Sequence, residues 1–228
     1  MGVLGEQEPK SLLPIQGEPF ATRLIRQAFE HGVDDITVVL GFRADYVRAR
    51  LEERSPKRLT FVVNERWQDD VNIHSLSLAL AADPSPAFVV EADIWMSDAA
   101  WAAMLDPSDA DHSVWYSRGP FVSTQVGGIL RADAARDVTD LRIVPAWQPE
   151  YAGHEKLVGV TKIGPGEAEA FTALLHAARD RSMKQYWLMP WIDNLAALPC
   201  KARDLGSAHA VSVNTPEEYQ RLVDQVTT

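Results

Sequence analysis

Ile36-Thr37-Val38-Val39-Leu40-Gly41 is the stretch on which the fold turns. It is apolar and β-branched, and it stops at a glycine, the pattern of a short strand covered on both faces. Phe61-Val62-Val63 before Asn64, and Ala87-Phe88-Val89-Val90 before Glu91-Ala92-Asp93, repeat that pattern. Amphipathic segments lie between these runs. Residues 19–31 set Phe20, Leu24, Ile25, Ala28 and Phe29 on one stripe, with Pro19 at the start and Gly32 past the end, as helices prefer. Residues 45–53 predict a second helix, and the segment after Asn72, carrying Leu76, Leu78, Ala79 and Leu80, a third. Strand and helix in alternation imply a parallel sheet with right-handed crossovers.

The second half is more mixed. Residues 113–116, 125–130, 141–144 and 157–162 read as strands joined by turns, and residues 166–179 as a helix built on Phe171, Leu174, Leu175 and Ala178. Residues 183–198 predict a helical segment interrupted by Pro190, and residues 210–213 a short strand. Thr215-Pro216-Glu217-Glu218 then supplies a cap, a first-turn proline and acidic residues for a last helix, whose apolar face is Tyr219, Leu222, Val223 and Val226. The expected fold is α/β, a three-layer α/β/α arrangement on a Rossmann-like mixed, mostly parallel sheet. Residues 1–228 form one domain.

Composition narrows the function. With 228 residues, 46% of them hydrophobic and 24% charged, the chain can bury a full core. A net charge of −10 disfavours nucleic acid, whose binding rests on Lys and Arg at phosphates. No apolar run nears the ~20 residues of a membrane span. Met1 to Lys10 has neither the basic nor the apolar part of a secretory signal. The single cysteine, Cys200, excludes an internal disulfide and fits a cytoplasmic location. It carries no motif and reads as a packed thiol.

Open parallel sheets bind ligands beyond the carboxyl ends of their strands. That directs attention to Gly41, Asn64 and above all Asp93. A carboxylate at that place can hold Mg²⁺ or cap the helix after Ser97-Asp98. Lys10, between Pro9 and Pro14 in a rigid, extended segment, can neutralise phosphate or lie free on an arm. Asn64, Asn72 and Ser75 offer polar recognition of a base or ribose, although Asn72 can equally cap the following helix. Tyr186, Trp187 and Trp191 crowd together beside Asp193, as an aromatic cage for a quaternary ammonium group or as core. No two of the six histidines have metal-ligand spacing, and neither a Gly-x-Ser-x-Gly elbow nor a phosphate-loop signature is present.

Pro9-Lys10-Ser11-Leu12-Leu13-Pro14-Ile15-Gln16-Gly17-Glu18-Pro19 resembles the segment of sugar-phosphate nucleotidyltransferases in which a Pro-Lys pair precedes LLPI-x-G-x-P. The continuation from His31 to Phe42 is also similar. Asn64 with Asn72-Ile73-His74-Ser75-Leu76 resembles the cytidylyltransferase branch, including phosphocholine cytidylyltransferases. Glu91-Ala92-Asp93 resembles that family's metal-binding strand end, and Val213-Asn214-Thr215-Pro216-Glu217-Glu218-Tyr219 its closing motif. The resemblance implies a GT-A-like fold and a Mg²⁺-dependent joining of a nucleoside triphosphate, CTP favoured, to a small phosphorylated acceptor: phosphocholine, a sugar phosphate or a phosphonate. Pyrophosphate is released. By motif, Lys10 acts catalytically on the phosphates, Asp93 and Asn214 hold the metal, and Asn72 and Ser75 lie near nucleotide or substrate, with Tyr186 and Trp187 as further substrate contacts.

One departure qualifies the resemblance. Such proteins begin with an apolar strand and a Gly-rich loop ending in Arg, whereas only eight residues, with Gly2 and Gly5, precede Pro9 here. Either the start is misassigned or truncated, or the sheet lacks that first strand and loop and the gap is covered by a partner, such as a homo-oligomer, or filled by another segment of the chain. The alternative function is then a non-catalytic nucleotide-binding or regulatory relative. A glycosyltransferase ranks behind both, because Glu91-Ala92-Asp93 stands where an Asp-x-Asp pair is usual.

Overall fold

A computed structural model describes residues 8–81, 85–206 and 209–227. The stretch holding Gly2 and Gly5 lies outside the described residues. Pro9 leads into a single 3₁₀ turn, Lys10–Leu12, so Lys10 sits on a tight turn rather than an extended arm. Strands β1 (Pro14–Ile15) and β2 (Glu18–Pro19) pair antiparallel around Gln16 and Gly17. Both turn residues have positive φ, 52° and 81°, the left-handed geometry that a two-residue hairpin demands. Pro19 then caps α1 (Phe20–Glu30) instead of opening it.

Strand β3 (Thr37–Leu40), helix α2 (Ala44–Arg54) and strand β4 (Thr60–Val63) form a parallel crossover unit. Helix α3 (Ile73–Ala81) leads to β5 (Ala87–Val90), β6 (Ile94–Met96) and α4 (Asp98–Met104). The serine of Ser97-Asp98 caps α4, its Oγ accepting from Ala100 N at 3.3 Å, which leaves Asp93 out of any capping role there. Then follow β7 (Val114–Pro120), β8 (Gly127–Ala132), β9 (Val138–Val144) and β10 (Glu155–Ile163). Helices α5 (Ala168–Arg181) and α6 (Met189–Asp193), strands β11 (Lys201–Asp204) and β12 (Ala210–Ser212), and helix α7 (Pro216–Thr227) complete the chain. Pro190 does not interrupt a long helix. It lies in the first turn of the short α6, where a missing N–H costs nothing.

The fold is mixed α/β. Six strands run β11-β7-β10-β8-β9, with β5 also on β10. β7 and β11 are parallel, while β10 is antiparallel to β5, β7 and β8. Side chains alternate across the sheet. Trp115 joins the cluster formed with Phe171, Leu175, Trp187 and Trp191, under α3, α5 and α6. Its neighbours Val114 and Tyr116 join Leu24, Ala28, Trp101 and Met104, under α1 and α4. Two helical layers therefore enclose the sheet. The three indoles are locked together: Trp115 stacks on Trp187 at 5.3 Å and 10°, and meets Trp191 edge-on at 5.7 Å. Cys200 is buried beside this cluster, and burial pushes its thiol up to about 12, so it is not a nucleophile at neutral pH.

One feature of the sheet positions the site. β10 pairs along one edge with β7, and its other edge is shared. Glu155 and Lys156 pair with β8, whereas residues 160–163 pair with β5. The handover falls at Gly159, φ +75°, where the register against β7 also shifts. β8 and β5 diverge there, and the opening between them receives polar side chains.

Candidate active site

Three distant segments meet beyond the carboxyl end of β5. Asp93 follows β5 and precedes β6. The ladder of β6 with β12 pairs Ile94 with Ser212 and continues as Val213 N to Asp93 O at 3.1 Å, which sets Asn214 beside Asp93. The turn carrying Lys10 is held on both sides by apolar anchors. Leu12 packs with Ala21, Ile25 and Phe29, while Leu13 and Ile15 pack with Phe20, Val213 and Leu222. Its ammonium thus reaches Asp93, with which it forms a salt bridge, and donates to Asn214 Oδ1 at 3.1 Å. The Lys10 and Asp93 side chains are 26% and 22% exposed, so this junction is open to a ligand.

Behind it lies a group the sequence pattern did not flag. Lys156 sits in the sheet opening and donates to Gly128 O at 3.2 Å. Burial, reinforced by Arg118, lowers its ammonium to about 8. Arg118, near the end of β7, is pushed down by burial and opposed only by the charge of Glu218; its guanidinium has no hydrogen bond or salt bridge among the described residues. Glu91 lies close to Asp93, Lys10 and Lys156, and burial raises it to about 7, with Asp93 adding to the shift. The Trp187 indole beside Glu91 works in the opposite direction and lowers it. A Cβ at position 159 would lie 2.5 Å from Glu91 Oε2, so glycine is what admits this carboxylate. The only sequence signal for Lys156 is a charge directly before the apolar run Leu157-Val158. Arg118, at a strand end, offered less.

The α7 start completes the wall. Thr215 Oγ1 accepts from Glu218 N at 3.1 Å, and Glu218 Oε2 accepts from Asn214 N and Thr215 N at 2.7 and 3.1 Å. This capping box fixes Asn214 where it faces Asp93.

The Asn72–Ser75 turn stands apart and is rigid. Asp70 accepts from His74 N, Ser75 N and Ser75 Oγ, each within 2.8–2.9 Å, and also from Asn64 Nδ2. Ser75 Oγ accepts from Asn64 Nδ2 as well. Asp70, not Asn72, therefore caps α3. Asn72 Oδ1 instead accepts from Trp187 N at 2.8 Å, and its amide N–H groups have no partner among the described residues. Trp187 is 3% exposed and stacked on Trp115. Its ring face belongs to the core, which is the core alternative of the two readings of Tyr186, Trp187 and Trp191 for both tryptophans. Tyr186 is 47% exposed.

The oxygens Asp93 Oδ2 and Asn214 Oδ1 converge on one cationic nitrogen. Two hard oxygen donors at a partly exposed junction suit Mg²⁺, which keeps waters and substrate oxygens in its shell. Among the described residues, no group of three or more His, Cys, Asp or Glu forms a protein-only metal site, and no helix is long and apolar enough to cross a membrane.

Comparison with known proteins agrees with this geometry. Residues 1–183 match the family described as MobA-like NTP transferase domain. A 2-aminoethylphosphonate cytidylyltransferase from Lancefieldella rimae is 31% identical over 99 residues, 43% of this chain and 39% of that protein. The match therefore spans well under two thirds of the relative. The CTP:phosphocholine cytidylyltransferase of Streptococcus pneumoniae superposes with a TM-score of 0.79 at 20% identity, covering 99% of this chain and 93% of that one. The inositol-1-phosphate CTP transferase of T. maritima gives 0.71 at 12% identity, covering 96% and 88%. A UDP-glucose pyrophosphorylase complexed with UDP-glucose gives 0.77 at 13%, covering 100% and 93%.

Proposed function

Because the chain belongs to the family of MobA-like NTP transferase domains, we propose that it is a Mg²⁺-dependent cytidylyltransferase acting on a small acceptor that carries a phosphate or phosphonate group. The observation that carries this reading is the junction of Lys10, Asp93 and Asn214 beside the two half-buried cations Lys156 and Arg118. Removing a cation from water is costly, and Glu91 and Glu218 offset that cost only in part. A dianionic acceptor offsets that cost for both Lys156 and Arg118. Asp93 and Asn214 would hold the metal, which supplies charge neutralisation at the triphosphate. Lys10, now neutralising Asp93, trades that carboxylate for a phosphate oxygen. Asn72, with its amide N–H groups unengaged, faces the nucleotide, and Ser75 holds the same turn in shape.

The chemistry needs no covalent enzyme intermediate. An acceptor oxygen forms a bond to the α-phosphorus, the α–β bridging P–O bond breaks, and pyrophosphate leaves. The protein contributes position and charge. The 31% identity to a phosphonate cytidylyltransferase supports an aminoalkylphosphonate ahead of phosphocholine. The burial of the Trp187 ring face points the same way, since a quaternary ammonium group needs exposed ring faces.

The test is pyrophosphate release with each of the four nucleoside triphosphates, Mg²⁺, and 2-aminoethylphosphonate, phosphocholine or a sugar phosphate. Turnover with CTP and one acceptor, abolished by Asp93→Asn, is expected. Nucleotide binding without turnover on any acceptor would instead assign the chain to the non-catalytic reading.

A further inference from the structure

An open cleft of about 560 Å³ is lined by Arg66, His74, Arg179, Arg181, Lys184 and, on the acidic side, Asp69 and Asp180. Lys10, Asp93, Lys156 and Asn214 do not line it. The cleft brings four permanent cations together in a chain whose net charge is −10. We propose that it is a second, non-catalytic binding site for a small polyanion carrying two or more linked phosphoryl groups.

The charges are unevenly satisfied, and this is what distinguishes the cleft from an ordinary solvated face. Arg179 is neutralised by Asp180 through contacts of 2.6 and 2.9 Å. Arg66 meets Asp69 only at 3.8 Å, with both side chains 64% exposed. Lys184 spends its ammonium on the Gln68 carbonyl at 3.2 Å, which leaves its charge intact. Arg181 has no carboxylate in salt-bridge range among the described residues. Three cations, Arg66, Arg181 and Lys184, thus face one volume with a single loosely held carboxylate between them.

The bland alternative is that Arg179 and Arg181 simply complement the negative end of α5. Part of that end is already occupied, at the Ala178 carbonyl. Gln185 Nε2 donates to Ala178 O and to Ser182 O, both at 2.8 Å, and Ser182 N donates to Ala178 O at 3.0 Å. Guanidinium groups favour forked contacts with phosphoryl oxygens, and two such groups about one volume match linked phosphates better than a monoanion. The same segment is stitched to the candidate nucleotide turn by Val71 N to Met183 O at 3.0 Å and Trp187 N to Asn72 Oδ1 at 2.8 Å. A polyanion bridging Arg66 to Arg181 and Lys184 clamps the loop that carries Asn72.

Calorimetric titration of the full chain with inorganic tripolyphosphate tests this, using wild type, Lys10→Ala and the double variant Arg181→Glu/Lys184→Glu. Both residues of the double variant are exposed, so its melting temperature should match wild type. The proposal expects a site that survives Lys10→Ala and weakens by about tenfold or more in the double variant. It is overturned if the double variant binds as wild type does, or if all binding disappears with Lys10→Ala. Equal affinity for sulfate overturns the preference for linked phosphates and reduces the cleft to a general anion patch.

Discussion

The tryptophan cluster and the polar junction lie on opposite terms with the solvent, although Trp187 touches both. In the cluster, Trp115, Trp191 and Phe171 are at most 2% exposed and interlock through ring contacts of 4.9–6.4 Å. At the junction, Lys10 and Asp93 remain about a quarter exposed, and Lys156 and Arg118 are half-buried against their own solvation preference. The first region supplies stability and no chemistry. The second supplies chemistry and adjoins the first where the Trp187 indole lies beside Glu91. The contrast predicts that substitutions will separate cleanly into those that lower turnover and those that lower stability.

The largest expected effect tests the junction side. Asp93→Asn should lower the rate of pyrophosphate release by ~10³-fold while leaving the urea midpoint within experimental error. A parallel loss of stability would break the contrast. Trp191→Ala belongs to the other class. It removes a buried ring and the bond from its Nε1 to Leu198 O at 2.9 Å, and should cost about 3–5 kcal/mol in equilibrium unfolding. If turnover per folded molecule falls as steeply, the two regions are one unit.

Lys156 sharpens the comparison, because its burial works against the fold. Its folded value near 8 lies below the ordinary 10.5, so between those values the unfolded chain binds more protons. Wild-type stability should then rise with pH across that window, by an amount on the order of 2 kcal/mol. In Lys156→Met the rise should vanish, together with activity on the phosphonate acceptor. A pH-stability profile unchanged by the substitution would place Lys156 in contact with solvent. The smallest effect is expected at the rim. Thr215→Ala deletes one half of the capping box and should cost about 1 kcal/mol, with turnover lowered only as far as Asn214 loosens.

Much of the architecture was legible in the chain. The runs ending at Leu40, Val63 and Val90 are strands, because apolar β-branched residues bounded by Gly, Asn or an acidic end have few other places to go. Thr215-Pro216-Glu217-Glu218 marked the start of α7 for the same local reason. Lys10, Asp93 and Asn214 were named from motif, and the structure brings them together. The readings that changed did so through long-range contacts. Asn72 is drawn away from capping α3 by Trp187, 115 residues on, and Lys10 is set on a tight turn rather than an extended arm.

The sequence by itself determined the periodicities, the caps, the acidic balance and the identity of the groups able to carry charge. Each of these depends on neighbours within about a turn of helix or a strand. Tertiary structure alone decided that β10 would divide its edge between β8 and β5 at Gly159, and that Lys156, Arg118 and Glu91 would be half-buried there, with Glu91 beside Asp93. Burial and electrostatic coupling are set by what the rest of the chain packs around a group, and no local spacing encodes them.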